Sequence, residues 1–128
     1  MIKDFLFIKK TALKGRGVFT KERIEKDTVI EESPVIVMPP EDRINLDKTL
    51  LHDYIFAWGK DEKQCCMALG FIAMYNHSYS SNCEYFMDFE EEIIQIKTVR
   101  QIEAGQELTI NYNGDWNNEK KVWFDVKV

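Results

Sequence analysis

The chain has 128 residues, with 17 basic and 22 acidic side chains and a net charge of −5. Its composition, 45% hydrophobic and 12% aromatic, is too rich in core formers for a disordered polymer, and its length suits one compact domain. The acidic balance disfavours binding of nucleic acid through phosphates and suits a cationic partner such as a Lys- or Arg-rich peptide.

Residues 1–10 carry Lys3 and Asp4 and no long apolar run, so neither a signal peptide nor a membrane span is expected. The apolar run at 5–8 reads as a first strand. Lys14-Gly15-Arg16-Gly17 then reads as a turn, two glycines around an arginine, followed by Val18 and Phe19. Residues 28–32 read as a strand that continues after a bend through 33–38, and Pro39-Pro40 stops it. In 46–74 the spacing changes. Leu50, Leu51, Tyr54, Ile55 and Trp58 recur at three and four, which predicts a helix ended by Gly59. Residues 66–74 are expected to form a short buried helix or turn. Residues 85–89 and 93–98 look like paired strands around the acidic turn Glu90-Glu91-Glu92, with clear alternation at Ile94, Ile96 and Thr98. Ala104-Gly105 marks another turn and 107–112 a final strand. The tail from 113 to 128, with Trp116, Trp123 and Phe124, is expected to pack onto the body. The result is a mainly β chain with short helices.

Three segments have side chains suited to chemistry. Around Lys14, Arg16 and Gly17, glycine permits close backbone approach and exposed N–H groups can receive a carboxylate or phosphate; a tight turn beside a solvated Lys-Arg pair is the plainer alternative. Tyr75-Asn76-His77-Ser78-Tyr79-Ser80-Ser81-Asn82-Cys83 is dense in hydrogen-bonding groups, which either bind a polar ligand or satisfy their own backbone. Glu107-Leu108-Thr109-Ile110-Asn111-Tyr112 is either an edge strand or a strand that ends on a functional hydroxyl. Cys65, Cys66 and Cys83 make a poor disulfide framework, which points to reduced thiols and a cytoplasmic setting, with nuclear or secreted-effector roles open. No C-x-x-C occurs and the histidines are His52 and His77, so no metal site is expected. A Cys83–His or Cys66–His nucleophile has no support in the spacing.

In this order the three segments resemble the SET-domain family of protein lysine methyltransferases. The K-G-x-G-hydrophobic element falls on 14–19, the N-H-S-x-x-P-N-C element on 76–83 with Ser81 in place of the proline, and the G-E-E-L-x-x-x-Y element on 105–112 with Gln106 in place of the first glutamate. The resemblance implies a single SET domain over 1–128, with a motif-bearing core at about 14–116 and a tail at 117–128. It implies small curved β-sheets and a knot-like C-terminal segment. The implied cofactor is S-adenosyl-L-methionine, held by Lys14, Arg16, Gly17, Asn76, His77 and Trp116, with a substrate lysine arriving through a narrow channel. Tyr112 would orient the amine and the transferring methyl, and Tyr85 would limit how many methyls are added. Tyr54 and Trp58 could line the peptide groove or simply form a core face. The implied partner is a basic protein, histone or histone-like, with Asp88 and Glu90–Glu92 attracting it. A homodimer could supply a missing groove wall. The alternative is a catalytically silent module that binds cofactor or a basic peptide.

Overall fold

The structure is a computed structural model and describes residues 1–120 and 122. In chain order its strands are β1 (Leu6–Thr11), β2 (Gly15–Thr20), β3 (Val29–Met38), β4 (Phe56–Trp58), β5 (Gln64–Ala68), β6 (Asn76–His77), β7 (Cys83–Asp88), β8 (Ile93–Thr98) and β9 (Glu107–Ile110). One α-helix, α1 (Pro40–Leu46), and 3-10 turns at Leu50–Asp53 and Ile72–Met74 complete the regular elements among the described residues. Two sheets result, ordered β1-β2-β9-β6 and β4-β5-β3-β8-β7.

The hydrophobic pattern accounts for most of this. In β8 the apolar Ile94 and Ile96 alternate with Gln95 and Lys97 and are fully buried, while β7 pairs antiparallel along its whole length from Cys83↔Thr98 to Asp88↔Ile93. The acidic turn between them is held by Asp88 Oδ1, which accepts the backbone N–H of Glu90 and of Glu91. Val18, Leu108 and Ile110 fill the first sheet's inner face at 0% exposure. Each such side chain contributes about 1.5–3 kcal/mol on burial.

The strand of 28–38 is continuous through Pro34, and a register shift lies between Val29 and Glu31. That bulge matters: Glu31, Ser33 and Val35 alternate on the buried face, and the shift lets the neighbouring Ile30 be buried as well. Pro39 then precedes α1 in an extended conformation and Pro40 occupies its first turn, so the pair that stops the strand also starts a helix.

Several expectations are corrected. The turn near the first glycines is at 12–14, and Gly15, Arg16 and Gly17 lie within β2. The helix expected over Leu50–Trp58 is a single 3-10 turn followed by β4, and Gly59 (φ 91°) ends a strand. Its apolar spacing has another cause: Leu50 and Leu51 are exposed, Tyr54 and Ile55 line a cavity, and Trp58 is buried edge-on to Phe89 at 4.9 Å. Residues 66–74 are split between β5 and the 3-10 turn. Strand β9 is interior, between β2 and β6. Trp123 and Phe124 lie outside the described residues.

The C-terminal part is laced through the 76–83 segment. Strand β6 runs parallel to β9, with Asn76↔Thr109 and His77↔Ile110. Asn82 bonds β9 at two points: its Oδ1 accepts Thr109 N–H at 2.8 Å and its Nδ2 donates to Glu107 O at 2.9 Å. Ser81 N–H donates to Trp116 O at 3.1 Å, and its hydroxyl to Cys83 O at 2.8 Å. A loop over two crossing segments is stable only when such buried backbone groups find partners, which these side chains supply.

Candidate active site

Strand β2 brings Gly17 against the start of β6 and β9. A Cβ on Gly17 would collide with Glu107 Oε2 and lie 2.9 Å from Asn76 Nδ2, so glycine here lets both side-chain ends come up against the β2 backbone. Asn76 Nδ2 donates to Glu107 Oε2 at 2.7 Å and to Arg16 O at 3.2 Å, and Lys14 Nζ lies 3.9 Å from Glu107 Oε1. A cation, an anion, a carboxamide and bare backbone therefore converge on one patch. Glu107 is the member that the sequence reading omitted, although it stands inside the third motif.

His77, the next residue along β6, is buried, and its Nδ1 accepts the backbone N–H of Tyr112 at 3.0 Å. Burial first, and the nearby Lys14 cation second, hold its imidazole below the usual 6.5. Neutral His77 keeps Nδ1 as an acceptor, and the ring packs against Tyr79 and Tyr112, with centroids 4.5 and 5.1 Å away.

Beyond His77 opens a cavity of about 600 Å³, whose walls include Tyr54, Phe56, Tyr75, Tyr85 and Tyr112. The Tyr112 hydroxyl donates to Tyr75 O at 2.9 Å, and the Tyr85 hydroxyl donates to Tyr112 O at 3.3 Å while its ring meets Phe56 edge-on. Burial pushes both phenols up to about 12, with Glu62 adding to the shift at Tyr85 and Tyr54 and Asp53 at Tyr112. Both stay protonated at neutral pH. With its proton on Tyr75 O, the Tyr112 oxygen turns lone pairs toward any group in the cavity.

The structure thus brings Lys14, Arg16, Gly17 and Asn76 together, and His77 with Tyr112 and Tyr85 beside them. Trp116 has other neighbours: the Arg100 guanidinium is 6.0 Å from its ring centre, its N–H donates to Glu84 Oε1 and its carbonyl accepts from Ser81. The charged residues at the cavity are Asp47, Asp53 and Glu62 together with Arg43 and Lys120, and Asp88, Glu90, Glu91 and Glu92 of the acidic hairpin turn are not among its lining residues. Burial pushes Cys66 up to about 12 and Cys83 further still, which leaves both thiols protonated and poor nucleophiles. Among the described residues no group of His, Cys, Asp and Glu could hold a metal ion, and no helix is long and apolar enough to cross a membrane.

The SET domain model matches residues 15–113, so the chain belongs to the SET-domain family. Over 126 residues it is 34% identical to the histone-lysine N-methyltransferase, H3 lysine-37 specific, of Schizosaccharomyces pombe, covering 98% of this chain and 80% of that protein. Among solved structures, a Plasmodium falciparum protein superposes with a TM-score of 0.64 at 24% identity, covering 90% of this chain and 98% of the other. Chaetomium thermophilum Polycomb Repressive Complex 2, in an autoinhibited conformation bound to S-adenosylmethionine, gives 0.72 at 20% identity, covering 88% of this chain and 15% of the other. The chain is a protein-lysine N-methyltransferase, with S-adenosyl-L-methionine as its methyl source. The patch at Gly17 fits that cofactor's amino-acid end. Lys14 can face a carboxylate and Glu107 an ammonium, and the missing Cβ of Gly17 lets the ends of Glu107 and Asn76 lie against the β2 backbone.

Proposed function

We propose that this enzyme methylates a lysine on a histone or histone-like basic protein, with Tyr112 and Tyr85 facing the amine and Lys14, Arg16, Gly17, Asn76 and His77 holding the cofactor. One observation carries the reading. Tyr75, whose carbonyl fixes the Tyr112 hydroxyl, is the residue before Asn76, so the cavity and the Gly17 patch adjoin within one peptide step. S-adenosylmethionine supplies, when bound, an electrophilic methyl group on a cationic sulfonium.

The protein's part is to receive, dry and orient the amine. Asp53 and Glu62 favour entry of a lysine ammonium. A free lysine titrates at about 10.4, and desolvation between aromatic walls lowers that value toward the neutral amine that reacts. The Tyr112 oxygen accepts an N–H of that amine and leaves the nitrogen lone pair directed along the transfer axis. Tyr85 narrows the same space, and its hydroxyl sets how many methyls fit. Trp116 is proposed to cover the adenine, with Arg100 bracing the ring's far face. A histone substrate would put this work in the nucleus rather than in the cytoplasm that the reduced thiols alone suggest.

The test is transfer of labelled methyl from S-adenosylmethionine to histone H3 and a panel of basic proteins, beside Tyr112→Phe. Label on a lysine, reduced about a hundredfold or more in the variant while cofactor affinity holds within a few-fold, is the expected result. Cofactor binding with no label on any panel member would instead favour the silent module. Absence of cofactor binding would overturn the reading.

A further inference from the structure

Glu31 is a fully buried carboxylate in β3 whose hydrogen-bond partners are neutral. Its Oε2 accepts the Ser33 hydroxyl at 2.7 Å and Phe71 N–H at 2.8 Å, and its Oε1 accepts the Tyr75 hydroxyl at 2.9 Å. Gly70 makes room for it, since a Cβ there would collide with Glu31 Oε2 and Ser33 Oγ. Burying a carboxyl group is costly unless its oxygens find partners, and here both do.

What the carboxylate holds is informative. Tyr75 is 1% exposed, grips Glu31 through its side chain, and through its carbonyl accepts the Tyr112 hydroxyl at 2.9 Å. Glu31 belongs to the five-stranded sheet, whereas Tyr75 leads directly into β6 of the four-stranded one. One buried hydrogen bond therefore ties the residue whose carbonyl aims Tyr112 to the opposite sheet.

We propose that Glu31 is a positioning residue for methyl transfer, acting through the Tyr75 hydroxyl to fix the Tyr75 carbonyl and so the direction of the Tyr112 hydroxyl. The inference rests on the reading of Tyr112 as the tyrosine that faces the amine. Its consequence is that removing a hydroxyl that does not itself face the substrate slows turnover without weakening binding.

The experiment is Tyr75→Phe in the full chain with ring-labelled tyrosine, followed by nuclear magnetic resonance and by kinetics on histone H3. The Tyr112 ring signals should move while those of Tyr54, another cavity-lining tyrosine, stay in place. The value of kcat should fall about tenfold with KM for both substrates within about twofold. If Tyr75→Phe does not fold, Ser33→Ala must move the same Tyr112 signals, because it removes one of the donors that hold Glu31 and alters nothing at the cavity. Unmoved Tyr112 signals in a folded variant, or a loss confined to KM, would overturn the proposal. A wild-type protein that transfers no methyl to histone H3 would count against the substrate reading alone, because the ring signals still decide the positioning role.

Discussion

Gly17 contributes to the site by what it lacks. The atoms that its Cβ would meet are the ends of the Glu107 and Asn76 side chains, which can swing aside at small cost to the fold. They cannot do so and still keep the bond between them or the approach of Lys14. Gly17→Ala is therefore expected to raise the Kd for S-adenosylmethionine about tenfold, or ~1.4 kcal/mol, with little change in melting temperature. Titration calorimetry beside a thermal melt separates the two effects. From its residues alone the Gly17 segment reads as a tight turn, and its cofactor role entered only through the family resemblance. Glu31 was not legible in the sequence: it shares the buried face of Ser33 and Val35, but a glutamate next to a second glutamate reads as solvated, and only its partners Ser33, Phe71 and Tyr75 explain its burial. Glu107 lay inside a motif that was read for its tyrosine, and its partnership with Asn76 depends on a parallel strand pairing that periodicity does not encode.

At the scale of elements, the short β6–β9 pairing carries unusual responsibility. Two ladder positions are too few to hold a strand in register, and Asn82 makes up the deficit with both ends of its side chain. Asn82→Ala would leave Thr109 N–H and Glu107 O without these partners in a mostly buried setting, at roughly 1–3 kcal/mol for each unsatisfied group. A loss of about 2–5 kcal/mol in denaturant unfolding is expected, with cofactor binding falling in parallel because Glu107 is displaced. The β7–β8 hairpin was read correctly from sequence because its pattern is local: two alternating runs and a polar turn. The segment from 46 to 58 was misread for the complementary reason. Its apolar residues face a cavity, an exposed surface and a core in turn, and their helical spacing reflects no single face.

Across the whole molecule, charge and cavity point the same way. The chain carries a net −5, and Asp53 and Glu62 lie at the wall where a lysine would enter. Attraction of a basic substrate to such a surface is screened over about 8–10 Å at physiological salt. Raising sodium chloride from about 50 to 300 mM should raise KM for histone H3 several-fold and leave kcat within about twofold, because salt screens the approach of the substrate and not the short-range contacts of the transfer step. A KM indifferent to salt would mean that shape, and not charge, selects the substrate. The order of the three motifs carried the family, and with it the fold and the chemistry, while the pairing of sheets and the depth of the cavity came only from the assembled chain.

The meeting of Lys14, Asn76 and Glu107 on one patch has a temporal side. These residues come from the beginning, middle and end of the described chain, so no isolated stretch of it can hold the ligand. While the chain is being synthesised, its early strands wait for partners that do not yet exist, and such non-local closure is slow. At the proposed site the cofactor would recognise only the finished wrap and would draw the folding equilibrium toward it. In a cell short of methyl donor, newly made copies would linger longer in open forms, so the supply of substrate would help to determine how much enzyme survives to use it.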